Sequence, residues 1–200
     1  MKRRLISILL GAALSAAPCV YAQSYLKLLP EPSCTLPLYP EGQDSDKGLK
    51  GALGPGESNG CIQPEGCDQN GHISNVGDNA RVDLYFPKKP NGQMIVVCPG
   101  GAYWFVSTHN EGGFVADWLI SKGFTVAVVT YRLPYGHWEI PLTDVQNVFR
   151  YCRANAESWG IDQIGVMGYS AGGHLALAAG LLTHDHSLVI VPQGNCKEFR

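Results

Sequence analysis

The chain has 200 residues, 45% hydrophobic and 16% charged, enough for one soluble globular domain but few for an α/β enzyme with a full sheet. The formal net charge is -2, and no run of like charge exceeds the opening Lys2-Arg3-Arg4. This balance argues against a nucleic-acid or polyanion partner.

The opening stretch "MKRRLISILLGAALSAAPCVYAQ" has a basic head, an apolar run from Leu5 to about Ala17, and small residues at Val20 and Ala22. It reads as a secretory signal, residues 1–22, cleaved after Ala22. The run is too short to span a bilayer, so no membrane association is expected after cleavage. A lipoprotein reading through Cys19 is disfavoured because Pro18 stands where a small residue is wanted. Export leaves Cys34, Cys61, Cys67, Cys98, Cys152 and Cys196 where disulfides form. Cys61 and Cys67 are placed where a disulfide could clip their Gly-rich loop, the pairing of the six being left open; a metal site adding His72 lacks the tight Cys-x-x-Cys spacing. Cys98 and Cys152 fall on apolar faces and read as buried thiols.

Residues 23–80 are Pro- and Gly-rich without a sustained period, an arm wrapped over the core or a flexible leader. Regular patterning begins at Arg81, and residues 81–200 are taken as one partial domain whose tail after about Leu182 departs from the pattern. "RVDLYF" alternates, with Val82, Leu84 and Phe86 on one face, and suits an outer antiparallel strand. "QMIVVC" is a buried strand ending in Pro99-Gly100-Gly101. "EGGFVADWLISKG" is an amphipathic helix closed by Gly123, with Phe114, Trp118 and Leu119 inward. "FTVAVVT" is a further buried strand. Leu142, Val145, Phe149, Cys152 and Ala156 then recur at helical spacing up to Gly160. "QIGVMG" gives the next strand, and Ala171 to about Leu182 the next helix. This alternation implies a parallel sheet covered on both faces.

Between that last strand and helix lies "GYSAG". A bare Gly-x-Ser-x-Gly match is weak, but a buried strand leads in and an Ala- and Leu-rich helix leads out. Ser170 would sit at a strained turn that exposes its hydroxyl, with Gly168 and Gly172 leaving room where strand and helix pass close. The Ala171 N–H at the helix start would face a developing oxyanion. A strand-to-helix turn merely capped by a serine is the plainer alternative. In "VVCPGGAYW", the N–H groups of Gly101 and Ala102 would complete an oxyanion hole.

"LPLYPEG", "VVCPGGAYW", "YRLPYGHWEIPLTDVQNVFRYCRANAESWGID" and "IGVMGYSAGGHLA", in this order over about Leu36 to Leu182, resemble the α/β-hydrolase superfamily. More narrowly, they resemble its bacterial exported acetyl-xylan-esterase-like or feruloyl-esterase-like carbohydrate esterases, related to the hormone-sensitive-lipase group. The resemblance implies a partial α/β-hydrolase fold, a mostly parallel sheet with helices on both faces, without the last strands and helices. It implies Ser170 as nucleophile, Gly101, Ala102 and Ala171 as oxyanion donors, and hydrolysis of a small-molecule or polysaccharide ester through an acyl-enzyme, with no metal or organic cofactor. Pro99 stands where the lipase-like relatives carry a histidine.

In such enzymes the acid and then the histidine follow the serine. Here His184, Asp185 and His186 follow, but fourteen residues of helix at ~1.5 Å each would put His184 about 20 Å from Ser170. His174 lies on the same helix and reads as packing or capping; His109 and His137 lie on earlier loops. No triad acid or base is identified in this chain, which is expected to be inactive or nearly so by itself. Two alternatives stay open: a prolyl-oligopeptidase-like peptidase, and a non-catalytic carbohydrate-binding protein that keeps the pocket without the chemistry.

Overall fold

The computed structural model describes residues 29–39, 65–77 and 79–182. The leader, Cys61, and the tail with His184, Asp185, His186 and Cys196 lie outside the described residues.

The main sheet has five strands in the order β1-β4-β7-β5-β8: β1 (Cys34–Pro37), β4 (Arg81–Tyr85), β7 (Thr125–Thr130), β5 (Gln93–Cys98) and β8 (Gln163–Gly168). The last three run parallel, and β4 and β1 extend the sheet antiparallel. Strand β7 is buried throughout, whereas β8, expected to be buried, is only half-buried at the edge of the described sheet. A small second sheet joins β2 (Gly66–Cys67), β3 (His72–Ser74) and β6 (Phe105–Ser107).

Strand alternation divides the core between the two faces of the main sheet. Met94, Val96, Cys98, Ala127 and Val129 face the helices α2 (Glu139–Trp159) and α3 (Ala171–Leu181), meeting Val145, Cys152, Leu175 and Ala176. Val97, Val126 and Val128 face the opposite way, against Ala116 and Leu119 of α1 (Phe114–Ser121). Helix α2 begins at Glu139, three residues before its apolar period, because Pro141 is tolerated in a first helical turn. It ends at Gly160, whose φ of 66° and ψ of 41° close the helix while its N–H bonds back to Ala156 and Glu157.

Three expectations are corrected. Strand β4 is not outermost, since "CTLP" within residues 23–80 pairs along its outer side. Phe114 and Trp118 point outward, at 42% and 58% exposure, while Leu119 is buried. The cause is a single π-helical turn, His109–Gly113, which turns small residues to the sheet: a Cβ on Gly112 would lie 2.7 Å from Val128 Cγ1. Gly112, Gly113, Ala116 and Leu119 then form the buried stripe, and the aromatics take the other side. Finally, Cys67 is a free thiol, so the Cys61–Cys67 clip does not form; Cys34 is the described cysteine that is disulfide-bonded.

Cys98 and Cys152 are buried, and burial pushes each thiol up to about 12. Neither forms thiolate near neutral pH, whereas Cys67 is exposed. Alkylation of the native chain at pH 8, mapped by peptide mass spectrometry, should mark Cys67 and reach Cys98 and Cys152 only after denaturation.

One charged pair is fully buried. Just past β7, Arg132 Nη2 and Nε reach Asp144 Oδ1 of α2 at 2.7 and 3.0 Å, both side chains being 0% exposed. Asp144 Oδ2 also accepts the Arg132 backbone N–H at 2.8 Å, and Oδ1 accepts the Tyr39 hydroxyl. The guanidinium lies over the Tyr39 ring, 4.3 Å from its centroid, and donates to its hydroxyl at 2.6 Å. Burial, reinforced by the Asp144 carboxylate, holds the Tyr39 phenol far above its usual range, so it remains a donor. A buried pair tolerates desolvation only when its lone pairs and protons are matched in this way. Asp144→Ala should therefore cost about 3–5 kcal/mol in urea unfolding by stranding the arginine, and an Arg132→Met/Asp144→Leu double variant should cost less than Asp144→Ala alone.

Candidate active site

The site is built where β5 and β8 end side by side. Their parallel pairing runs to Cys98 opposite Gly168 and continues as a bond from Tyr169 N–H to Cys98 O at 3.2 Å. Ser170 then takes φ 49° and ψ -120°, a conformation that costs a non-glycine residue about 1–3 kcal/mol. Its side chain is exposed and makes no cap to its own helix. A serine that merely caps would accept a bond from the first turn.

The glycines around it mark close backbone approach. A Cβ on Gly168 would lie 2.2 Å from Gly172 O, and one on Gly172 would lie 2.1 Å from Cys98 O. A Cβ on Gly100 would lie 2.6 Å from Tyr169 O and 3.1 Å from Ser170 Cβ, so the loop after β5 touches the serine turn directly.

That loop is unusual in its dihedrals: Gly101, Ala102 and Tyr103 have φ of 135°, 53° and 62°. The carbonyls of its peptides are turned inward. Gly100 O accepts Ser107 N–H at 2.9 Å, and Gly101 O accepts the N–H groups of Trp104 and Phe105 at 2.9 and 3.2 Å. In a trans peptide the N–H points opposite to the C=O, and no peptide here is cis. The N–H groups of Gly101 and Ala102 therefore point away from those partners, and neither donates to a described residue. The Ala171 N–H, first in α3, is likewise without an intrahelical acceptor.

No described histidine bonds to Ser170. His72 pairs with Asp68 at 2.9 Å, His109 meets Gly71 O at 3.3 Å, and His137 lies in the turn before α2. His174, one turn beyond Ser170, bonds through Nδ1 to the Tyr103 hydroxyl at 2.8 Å, joining the loop to the helix. Beside this bond lies a mostly apolar cavity of about 210 Å³, lined by Tyr103, Pro134, Trp138, Leu142 and His174 among others. Among the described residues no three His, Cys, Asp or Glu side chains group to hold a metal, and no helix is long and apolar enough to cross a membrane.

Sequence reading did not find Tyr103, Glu111 or Tyr131 near this site. Tyr103 follows Ala102 directly and is recognisable only once the loop's dihedrals are known. Glu111 and Tyr131 arrive from 11 and 32 residues along the chain, with no periodic signal.

Residues 82–200 match the BD-FAE family model. The chain is 42% identical over 106 residues to an acetylxylan esterase of Xylanibacter ruminicola, covering 51% of this chain and 22% of that protein. It is 37% identical over 102 residues to the esterase LipC of Mycobacterium tuberculosis, covering 50% and 25%. This chain thus matches a quarter or less of the length of these two curated relatives. Among solved structures, it aligns with an acetyl ester-xyloside bifunctional hydrolase of Caldicellulosiruptor lactoaceticus at 29% identity and a TM-score of 0.51, over 74% of this chain and 46% of that one. The parallel strands, the serine turn and the family match together give the conclusion: the chain belongs to the BD-FAE family, and its described residues form part of an α/β-hydrolase fold.

Proposed function

We propose that this chain carries the nucleophile and oxyanion half of a serine carboxylic-ester hydrolase acting on an acylated carbohydrate such as acetylated xylan. The observation that carries this reading is the pairing of a strained, exposed Ser170 with unused N–H groups at Gly101, Ala102 and Ala171 in a loop and helix that touch it. Ser170 Oγ attacks the acyl carbon, the carbonyl oxygen takes up negative charge, and the three N–H groups donate to it. Collapse of the tetrahedral centre breaks the ester bond, the departing sugar oxygen takes the proton given up by Ser170, and the acyl group stays on Ser170. Water then attacks that acyl carbon, releasing the carboxylic acid and restoring the serine hydroxyl. The carbohydrate assignment rests on likeness to the acetylxylan esterase of Xylanibacter ruminicola and the xyloside-active hydrolase, and export rests on the leader sequence.

No described residue bonds to Ser170 as a base, so neither the histidine nor the acid of the triad is placed among the described residues. Without them the chain should be inactive or nearly so, since loss of triad members leaves only the small residual catalysis of binding and oxyanion contacts. Its ester chemistry should return when residues 82–182 replace their counterpart in the Xylanibacter ruminicola esterase. That chimaera should hydrolyse p-nitrophenyl acetate and acetylated xylan, and lose about 10⁴-fold or more on Ser170→Ala. A folded chimaera whose activity is indifferent to Ser170→Ala would remove the nucleophile assignment. Sugar binding by the chain that survives Ser170→Ala, without ester turnover by the chimaera, would favour a non-catalytic carbohydrate-binding role. Turnover by the chain alone, within tenfold of the complete relative, would refute the claim of inactivity.

A further inference from the structure

The peptide between Pro99 and Gly100 is gripped at both polar ends. Its carbonyl accepts the hydroxyl of Tyr131 at 2.6 Å, and its N–H donates to Glu111 Oε2 at 2.6 Å. Because C=O and N–H point opposite ways across a trans peptide, two such grips remove its freedom to rotate about the chain axis. The next two peptides carry the Gly101 and Ala102 N–H groups, and their direction follows from this one.

Both grips are set by the fold. Tyr131 is 0% exposed and its ring stands edge-on to Tyr103, with centroids 6.3 Å apart. Burial keeps its phenol above the usual range and therefore protonated, a fixed donor. Glu111 comes from the π-helical turn, where Gly113 N–H bonds to Thr108 O at 2.7 Å and Phe114 N–H to His109 O, each five residues back. The turn is pressed onto its surroundings at Gly112 and Gly113, where an added Cβ would lie 2.7 Å from Val128 and from Leu29 respectively. Single π turns of this kind recur at functional sites. Glu111 is half-buried and, among the described residues, has no cationic partner; its one acceptor role is toward Gly100. A carboxylate kept there without a cation contributes little to stability, but a charge-assisted bond to a backbone N–H is about twice as strong as a neutral one.

We propose that Glu111 and Tyr131 are positioning residues, a clamp on the Pro99–Gly100 peptide that holds the Gly101 and Ala102 N–H groups toward Ser170. The proposal rests on the reading of Ser170 as nucleophile and of those N–H groups as oxyanion donors. Neither clamp residue bonds to Ser170 among the described residues, so each acts through the loop.

The test uses the 200-residue chain for the loop and, for capture, the chimaera that carries residues 82–182 and supplies a triad base. Each is made with three variants, Glu111→Gln, Glu111→Ala and Tyr131→Phe, the last keeping the packed ring. Two quantities are read: the amide resonances and exchange rates of Gly100, Gly101 and Ala102, and capture of phenylboronic acid on Ser170, followed by the tetrahedral ¹¹B signal. Thermal melts establish that each variant is folded. We expect Glu111→Ala to speed exchange at Gly100, displace the Gly101 and Ala102 resonances and weaken capture about ten- to a hundredfold, the usual result of misplacing a reacting geometry by an ångström. Tyr131→Phe should move the same resonances, and Glu111→Gln, which still offers an acceptor, should restore most of the capture at a similar melting temperature. Capture by the wild type with unchanged affinity and resonances in folded Glu111→Ala and Tyr131→Phe overturns the clamp alone. A wild type that captures no boronate while Glu111→Ala still moves the loop overturns the oxyanion reading, and the clamp's role with it.

Discussion

Two turns meet backbone to backbone at the ends of β5 and β8, and there is no space for a Cβ between them. Gly172 lies on the carbonyls of Cys98 and Pro99, and Gly100 lies on Tyr169 O and Ser170 Cβ. A parallel pair of strands brings their ends together in this way because their register is shared to the last residue, Cys98 opposite Gly168. The proximity that the chemistry needs is therefore a property of the sheet. Side chains enter only afterwards, to decide which peptide groups face the gap.

One of those side chains, Glu111, comes from the π-helical turn, and the other, Tyr131, follows the strand between the antiparallel edge and β5. Beyond β7, three consecutive residues are buried: Tyr131, Arg132 and Leu133. Tyr131 grips Pro99 O beneath the loop, while Arg132 closes on Asp144 and Tyr39. The first contact orients the loop and the second fixes helix α2 and the stretch after β1 against the same strand end. A segment that serves the site on one side and the packing on the other has little freedom to drift. The energetic order is also clear, since a buried ion pair missing one partner costs several kcal/mol, whereas one loop hydrogen bond is worth about 1.

The parallel strands, helix α2 up to Gly160, and the serine turn were legible in sequence because each has a local signature. Apolar runs, a 3.6-residue period and a glycine stop are all read within a short window. Strand β1 was not legible: "CTLP" is four residues long, ends in proline, and is a strand only because β4 offers it an edge. The outward turn of Phe114 and Trp118 escaped for a related reason. A π turn inserts one residue into the helical count, and only the contact of Gly112 with Val128 reveals it. Long-range polar pairs are invisible in principle to a windowed reading: Tyr39 and Asp144 are 105 residues apart. The expected disulfide clip failed similarly, since proximity in sequence favoured Cys67 whereas folding leaves it a free thiol.

The central claim is that the N–H groups of Gly101, Ala102 and Ala171 converge on the space in front of Ser170. The most direct measurement is a crystal structure of the chimaera that carries residues 82–182, where a triad base is present, after reaction with an aryl alkylphosphonate ester, whose phosphorus mimics the tetrahedral acyl centre. Phosphorus should be bonded to Ser170 Oγ, with a phosphoryl oxygen about 2.7–3.1 Å from those nitrogens. A phosphonate on Ser170 whose oxygen faces solvent, with the loop N–H groups turned elsewhere, would contradict it.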